Sequence, residues 1–166
     1  MKRVIVVSDS HGDVTGLREA FEQALRHGAV DVAVFLGDGM DDFETVRSML
    51  HTQGTVCYAV CGNNDWGRRE AGEVLFLVNG VRFYACHGHQ RYVKYGLDRL
   101  WYAAQEREAQ VALYGHTHRE KIDLERNVTM INPGAICERY GKRSAYAEIC
   151  VEDNGFVRPR LVQWET

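Results

Sequence analysis

At 166 residues with 45% apolar content, the chain can bury one sizeable core but is short for two, so a single domain spanning 1–166 is expected. A formal net charge of −3 supplies no broad cationic face and argues against a general nucleic-acid binder. No apolar stretch is long enough for a bilayer, and the chain starts directly in a strand pattern with no signal core, so no membrane association and a cytoplasmic setting are expected.

The β-branched run Val4, Ile5, Val6, Val7 reads as a buried strand that stops at Asp9-Ser10-His11-Gly12. In extended backbone Asp9 and His11 point the same way, which would place a carboxylate and an imidazole together. Helical spacing follows in Val14, Leu17, Phe21 and Leu25, with Asp13 as N-cap and Gly28 as stop. The apolar run 32–36 breaks at Gly37-Asp38-Gly39, and Phe43, Val46, Met49 and Leu50 predict a second helix capped by Asp41. A third strand over 56–60 ends at Gly62-Asn63-Asn64-Asp65. Strand alternating with helix implies right-handed crossovers and a parallel sheet.

From residue 73 the pattern changes. Runs over 74–78 and 81–85 are separated by Asn79-Gly80, a type I′ hairpin signal, so this half is partly antiparallel. The second run ends at His87-Gly88-His89. Leu97, Leu100, Trp101 and Ala104 predict a third helix, and a strand over 111–114 leads into Gly115-His116-Thr117-His118. Strands are expected over 128–131, before the turn Asn132-Pro133-Gly134, over 145–151, and from Phe156 onward.

Five of the seven histidines, His11, His87, His89, His116 and His118, therefore stand at glycine-bearing strand ends, where parallel sheets line their ligand crevice. Each motif has an ordinary reading of its own. Asp9-x-His11 can be a strand end with a cap, Asp38 a turn or helix cap, Asn63 and Asn64 turn residues, and His116 with His118 a hydrogen-bonded pair. The cysteines Cys57, Cys61, Cys86, Cys137 and Cys150 are odd in number, form no CxxC, and read as buried small hydrophobes in a reducing compartment. Cys61 and Cys86, adjacent to candidate site residues, leave a redox or ligand role open.

Taken together and in this order, Asp9-Ser10-His11, Gly37-Asp38-Gly39-Met40-Asp41, Gly62-Asn63-Asn64-Asp65, His87-Gly88-His89 and Gly115-His116-Thr117-His118 make the chain resemble the calcineurin-like metallophosphoesterases. The short chain, the His-Gly-His form and Asn132-Pro133-Gly134 are similar to the small bacterial and archaeal phosphodiesterase branch. The resemblance implies a four-layer α/β sandwich of two mixed sheets flanked by helices. It also implies two divalent metal ions, one on Asp9, His11 and His118, the other on Asn63, His87 and His116, with Asp38 bridging. A carboxylate is suited to span ions roughly 3.5 to 4 Å apart, and Asp9 crowded against Asp38 would be costly without cations. Nitrogen and oxygen ligands without thiolate suit Mn²⁺ first, with Ni²⁺, Fe²⁺ or Zn²⁺ as alternatives.

The implied reaction is phosphodiester hydrolysis by attack of a metal-bridging hydroxide in line with the departing oxygen. Many phosphatases of the superfamily carry a histidine where this chain has Asn64, and an amide can contact phosphate but cannot act as a general acid near neutral pH. A steep dependence on leaving-group acidity is expected, with His89 the first candidate if another proton donor exists. Asp41 could tune the site from behind, Asp65 hold its turn, and Trp66 stack on a leaving group or pack at the rim. Arg68, Arg69, Arg139, Lys142 and Arg143 are candidate phosphate contacts among ordinary surface cations. A small phosphodiester is the expected partner, and a homo-oligomer is compatible with the sequence. The alternatives are a phosphomonoesterase and a non-catalytic scaffold, the use to which a retromer trafficking subunit puts the same fold.

Overall fold

A computed structural model describes residues 1–137 and 144–164. Strands β1 (Lys2–Val7), β2 (Val32–Phe35) and β3 (Val56–Ala59) alternate with helices α1 (Val14–Arg26) and α2 (Met40–Thr52). The hairpin β4 (Glu73–Val78) and β5 (Val81–Cys86) follows, then helix α3 (Asp98–Glu106), β6 (Val111–Leu113), β7 (Lys121–Asp123), β8 (Thr129–Asn132), β9 (Ser144–Val151) and β10 (Val157–Trp164). They form two five-stranded sheets, ordered β10-β9-β1-β2-β3 and β4-β5-β6-β8-β7. Both are mixed: β1 runs parallel to β2 and antiparallel to β9, and β6 runs parallel to β5 and β8 while β4 and β7 are antiparallel edges.

The alternation of β1 decides the layering. Val4 and Val6 join Phe83, Leu113 and Ile131 in the core between the sheets, whereas Ile5 and Val7 face Leu17, Phe21 and Phe43 beneath α1 and α2. Tyr84, Ala112 and Met130 turn outward to meet Leu100 and Ala104 of α3. The result is the expected sandwich of helices, sheet, sheet and helix, with three helices among the described residues. No described helix is long and apolar enough to cross a membrane.

Local signals are where they were expected. The Asp13 side chain accepts from Gly16 N at 2.8 Å at the start of α1. Asn79 and Gly80 take φ of 47° and 78°, joining Val78 to Val81 in register. Two features differ. Strand β7, with a single apolar residue, carries no sequence signal and exists because it pairs with β8. Helix α2 starts at Met40 with Gly39 in the cap position, so Asp41 lies in its first turn and is not the N-cap.

The work of a cap falls to Asp65, from the loop after β3. Its carboxylate accepts from the N–H groups of Asp38, Gly39 and Met40 at 2.8, 2.9 and 2.9 Å, and from Gly62 N at 2.7 Å. A negative group at a helix N-terminus satisfies otherwise orphaned donors and meets the favourable end of the helix dipole. Asp65 thus holds its own turn and ties the ends of β2 and β3 together.

Candidate metal centre

The carboxyl ends of β1, β2, β5 and β6 converge, and each delivers part of one polar cluster. Asp9, His11, Asp38, His116 and His118 have φ of 57°, 45°, 59°, 70° and 58°, five of the eight non-glycine residues with left-handed backbone among those described. Such conformations cost roughly 1–3 kcal/mol each and persist where the surroundings impose them. The convergence of Asp9 with His11, and the placement of the two histidines of the Gly-His-Thr-His loop, therefore arise from tight left-handed turns. The strand-like alternation expected from the sequence does not produce them. Glycine is needed at 62 and 115 for space, since a Cβ at 62 would strike the Asp38 carboxylate and one at 115 the Ser8 hydroxyl.

Asp38 lies at the junction. Potential ligand atoms fall within 4.8 Å of one another in the groups Asp9–His11–Asp38 and Asp38–His87–His116, so this carboxylate belongs to both. Its Oδ2 is 3.6 Å from His11 Nε2 and 3.4 Å from His87 Nε2. His118 Nε2 is 3.1 Å from Asp9 Oδ1 and 3.1 Å from His11 Nε2, and His87 Nε2 is 3.2 Å from His116 Nδ1. By distance His118 lies with Asp9 and His11, and His116 with His87.

The donors are oriented from behind. His87 Nδ1–H donates to Leu36 O at 2.7 Å, leaving Nε2 for the cluster. Asp9 Oδ2 accepts from Ser8 Oγ and, at 3.1 Å, from His116 N. Asp9 Oδ1 is buried, approached by His11 and His118 at 3.4 and 3.1 Å, and has no hydrogen-bond partner among the described residues. A buried carboxylate oxygen without a donor is costly, and an oxygen facing several imidazole nitrogens is what a divalent cation requires. The residues fit such an ion.

Electrostatics point the same way. Burial opposes ionisation of Asp9, but the adjacent His11 and His118 outweigh it and hold its carboxyl well below the usual range. At Asp38 burial is again outweighed, here by His87 and Asn64, and the pKa is about 2. Burial also disfavours the charged form of His87, yet Asp38 and Asp9 raise it; its partner His116 is pushed down to about 4 by burial, by His87 and by Lys94. Two imidazoles this close disfavour one another's cationic form.

The remaining candidates divide. Asn63 is exposed. Asn64 donates to Asp38 through its backbone N at 2.8 Å and its Nδ2 at 2.9 Å, so it positions that carboxylate and its amide is engaged there. His89 sits in a short 3-10 turn with its ring 5.4 Å from that of His87, and burial followed by the His87 charge lowers its pKa. Asp41 points to solvent with its side chain 89% exposed and pairs with Arg68. The neighbouring Asp42 is the buried one: its Oδ2 accepts from Ser10 Oγ at 2.6 Å and Gly12 N at 2.8 Å, bracing the Asp9–His11 loop. Sequence reasoning missed Asp42, and the signal was available, because Asp42 and not Asp41 falls on the apolar face with Phe43 and Val46.

A cleft of about 570 Å³ opens beside the cluster, lined by His11, Asp38, Asn64, Trp66 and Arg68 among others. Trp66 is 86% exposed, at the rim. Arg68 is engaged by Glu70, Asp41 and Glu44, which compromises it as a phosphate contact, and Arg69 is exposed. Arg139, Lys142 and Arg143 lie outside the described residues. Among the described residues no disulfide forms. Burial, followed by nearby carboxylates, raises the Cys61 thiol, and burial pushes Cys86 to about 12, so neither is a ready nucleophile. The sulfur near the cluster belongs instead to Cys137, grouped with His11 and His118.

With this geometry in view, a family profile described as the calcineurin-like phosphoesterase superfamily domain matches residues 1–154. The chain is 33% identical to a probable metallophosphoesterase of Bacillus subtilis, YsnB, over 155 residues, covering 91% of this chain and 85% of that protein. It is 26% identical to a protein named phosphodiesterase MJ0936 from Methanocaldococcus jannaschii over 149 residues, covering 81% and 84%. Vacuolar protein sorting 29 from Cryptosporidium parvum shares the fold at a TM-score of 0.76 with 13% identity, covering 99% of this chain and 98% of the other.

Proposed function

The chain belongs to the calcineurin-like phosphoesterase superfamily, and from that premise we propose that it hydrolyses phosphodiesters with the help of two divalent metal ions. The observation that carries the reading is the position of Asp38, whose carboxylate is common to two groups of potential ligands. Asp9, His11 and His118 would hold one ion and His87 and His116 the other; Asn63 stays in the second set on the resemblance alone. When bound, such ions lower the pKa of a water and neutralise charge on phosphate oxygens. The nitrogen and oxygen donors of this set suit Mn²⁺, with Ni²⁺, Fe²⁺ and Zn²⁺ as alternatives. A cytoplasmic setting is part of the reading.

The chain's own residues do the positioning. Leu36 O fixes the His87 tautomer, Asn64 clamps the Asp38 carboxylate, and Asp42 holds the Asp9–His11 loop against α2. Phosphodiester preference is supported by the name of the M. jannaschii relative and by the proton inventory. Asn64 is occupied by Asp38, and His89, with its pKa lowered, is neutral near pH 7 and carries no proton ready for a departing alkoxide. Substrates that leave without a proton are favoured.

The test is hydrolysis of a series of bis-aryl and alkyl-aryl phosphodiesters with Mn²⁺, before and after chelation. Rates should fall steeply as the leaving group becomes less acidic and vanish on chelation. A flat series would overturn the account of the proton. A large preference for matched aryl monoesters would make the protein a phosphatase. Bound metal without turnover would favour the alternative of a non-catalytic scaffold.

A further inference from the structure

The ligands anticipated from the sequence offer only nitrogen and oxygen, but the folded chain brings a sulfur to the same place. Asn132, fully buried, organises the segment that carries it. Its Oδ1 accepts from Gly134 N at 2.9 Å, while its Nδ2 donates to Gly115 O at 3.2 Å and Thr117 Oγ1 at 2.9 Å, fastening the Asn-Pro-Gly turn to the loop that bears His116 and His118. Beyond the turn the backbone runs beside the end of β1, with Ile136 N donating to Ser8 O at 3.0 Å and Cys137 N to Asp9 O at 3.3 Å. Ile136 packs into the core beneath α1, and the next side chain, Cys137, is buried near the cluster.

Two independent observations meet there. Cys137 Sγ and one ring nitrogen each of His11 and His118 lie within 4.8 Å of one another. The buried and unpartnered Asp9 Oδ1 faces the same two imidazoles at 3.4 and 3.1 Å. Typical ion–nitrogen lengths of about 2.0–2.1 Å and ion–sulfur lengths of about 2.3 Å cap the separation of two ligands on one ion near 4.4 Å. A sulfur within 4.8 Å needs only a small side-chain adjustment to share the ion.

We propose that Cys137 joins Asp9, His11 and His118 as a thiolate ligand, making this the position of a thiophilic ion such as Zn²⁺ or Fe²⁺. The inference rests on the metal-centre reading above and refines it: the Asp38, His87 and His116 position keeps nitrogen and oxygen donors only, so the two positions become chemically unequal. On binding, the Cys137 S–H bond breaks, a sulfur–metal bond forms with the same electron pair, and the proton passes to solvent. No oxidant or reductant is required. Thiolate is the softest ligand in the set, and its affinity for Zn²⁺ over Mn²⁺ follows from that softness.

The full-length protein loaded with Co²⁺ separates this inference from the reading beneath it. Wild-type protein should show visible d–d bands together with an intense near-ultraviolet sulfur-to-cobalt charge-transfer band. Cys137→Ser should keep the former and lose the latter, while Cys61→Ser keeps both. After equilibration with equal Zn²⁺ and Mn²⁺, elemental analysis should show the zinc-to-manganese ratio falling in Cys137→Ser, through the position that loses its thiolate, and staying at the wild-type value in Cys61→Ser. If wild-type protein shows d–d bands with no charge-transfer band, or the band survives Cys137→Ser, the thiolate is overturned and the metal centre stands. If no d–d band appears at all, both fall. The wild-type spectrum alone decides the matter should Cys137→Ser fail to fold.

Discussion

The two ends of strand β1 both bury charge, and only one of them balances it from within. At the amino end Arg3, 7% exposed, donates through Nε and Nη2 to Glu148 Oε2 at 2.8 and 2.5 Å and through Nη1 to Ala24 O and Gly28 O at 2.7 and 2.8 Å. Glu148, 6% exposed, accepts at its other oxygen from Arg160 Nε at 2.9 Å. At the carboxyl end Asp9 and Asp38 face four imidazoles, with one Asp9 oxygen unpartnered and the backbone in left-handed conformations. Where buried charge meets its complement inside the chain, the site is structural; where donors converge without one, as here, the arrangement fits the proposed metal centre.

The sharpest way to break this contrast is Glu148→Ala, which leaves Arg3 buried and unpaired. Chemical denaturation should record a loss of about 3–5 kcal/mol, with phosphoester turnover per folded molecule unchanged. The double change Arg3→Met with Glu148→Leu should be far milder, since replacing both partners leaves no orphan charge. A loss well under 1 kcal/mol for Glu148→Ala would remove the structural half of the comparison.

At the other end, adding Mn²⁺ to about a hundred times its dissociation constant should stabilise the wild-type protein by about 2.7 kcal/mol for each ion that binds. Asp9→Asn should lose the increment of the ion that Asp9 would hold, and Arg3→Met with Glu148→Leu should keep the full gain. Thermal melts with and without metal check both. Equal gains in all three proteins would place the metal elsewhere.

Asp42→Ala should weaken metal binding by roughly 10–100-fold, because it releases the Ser10 and Gly12 anchors of the Asp9–His11 loop. Asp41→Ala, one residue away and exposed, should leave binding unchanged in the same metal titration. The smallest effect is a matter of pH. Burial raises the Glu148 pKa, but bonds from Arg160 and Arg3 outweigh it, so the folded value lies below the ordinary one. That contribution to stability is fully present above the unfolded carboxylate pKa and is lost as pH falls through the depressed folded value. Glu148→Gln should flatten this part of an acid titration of stability.

Most of the architecture was legible, because strand alternation, helical spacing, the Asp13 cap and the Asn79-Gly80 hairpin are local patterns with local causes. The cluster of Asp9, His11, Asp38, His87, His116 and His118 was legible as a set of motifs at strand ends. Strand β7 was not, since Lys121, Ile122 and Asp123 hold a strand only through the bonds of their neighbour β8. Asp41 was preferred over Asp42, and Asp65 was read as a turn residue, because a cap supplied from another loop leaves no mark near the helix it caps.

The sequence by itself determined which residue types stand at each strand end, since backbone periodicity and turn chemistry act over a few residues. The tertiary structure alone decided which of two adjacent aspartates turns inward, that Asn64 holds Asp38, and that Cys137 arrives beside His11 and His118. One residue along a helix rotates a side chain by about 100°, and contacts across more than a hundred residues depend on how the two sheets pack, which no local pattern encodes.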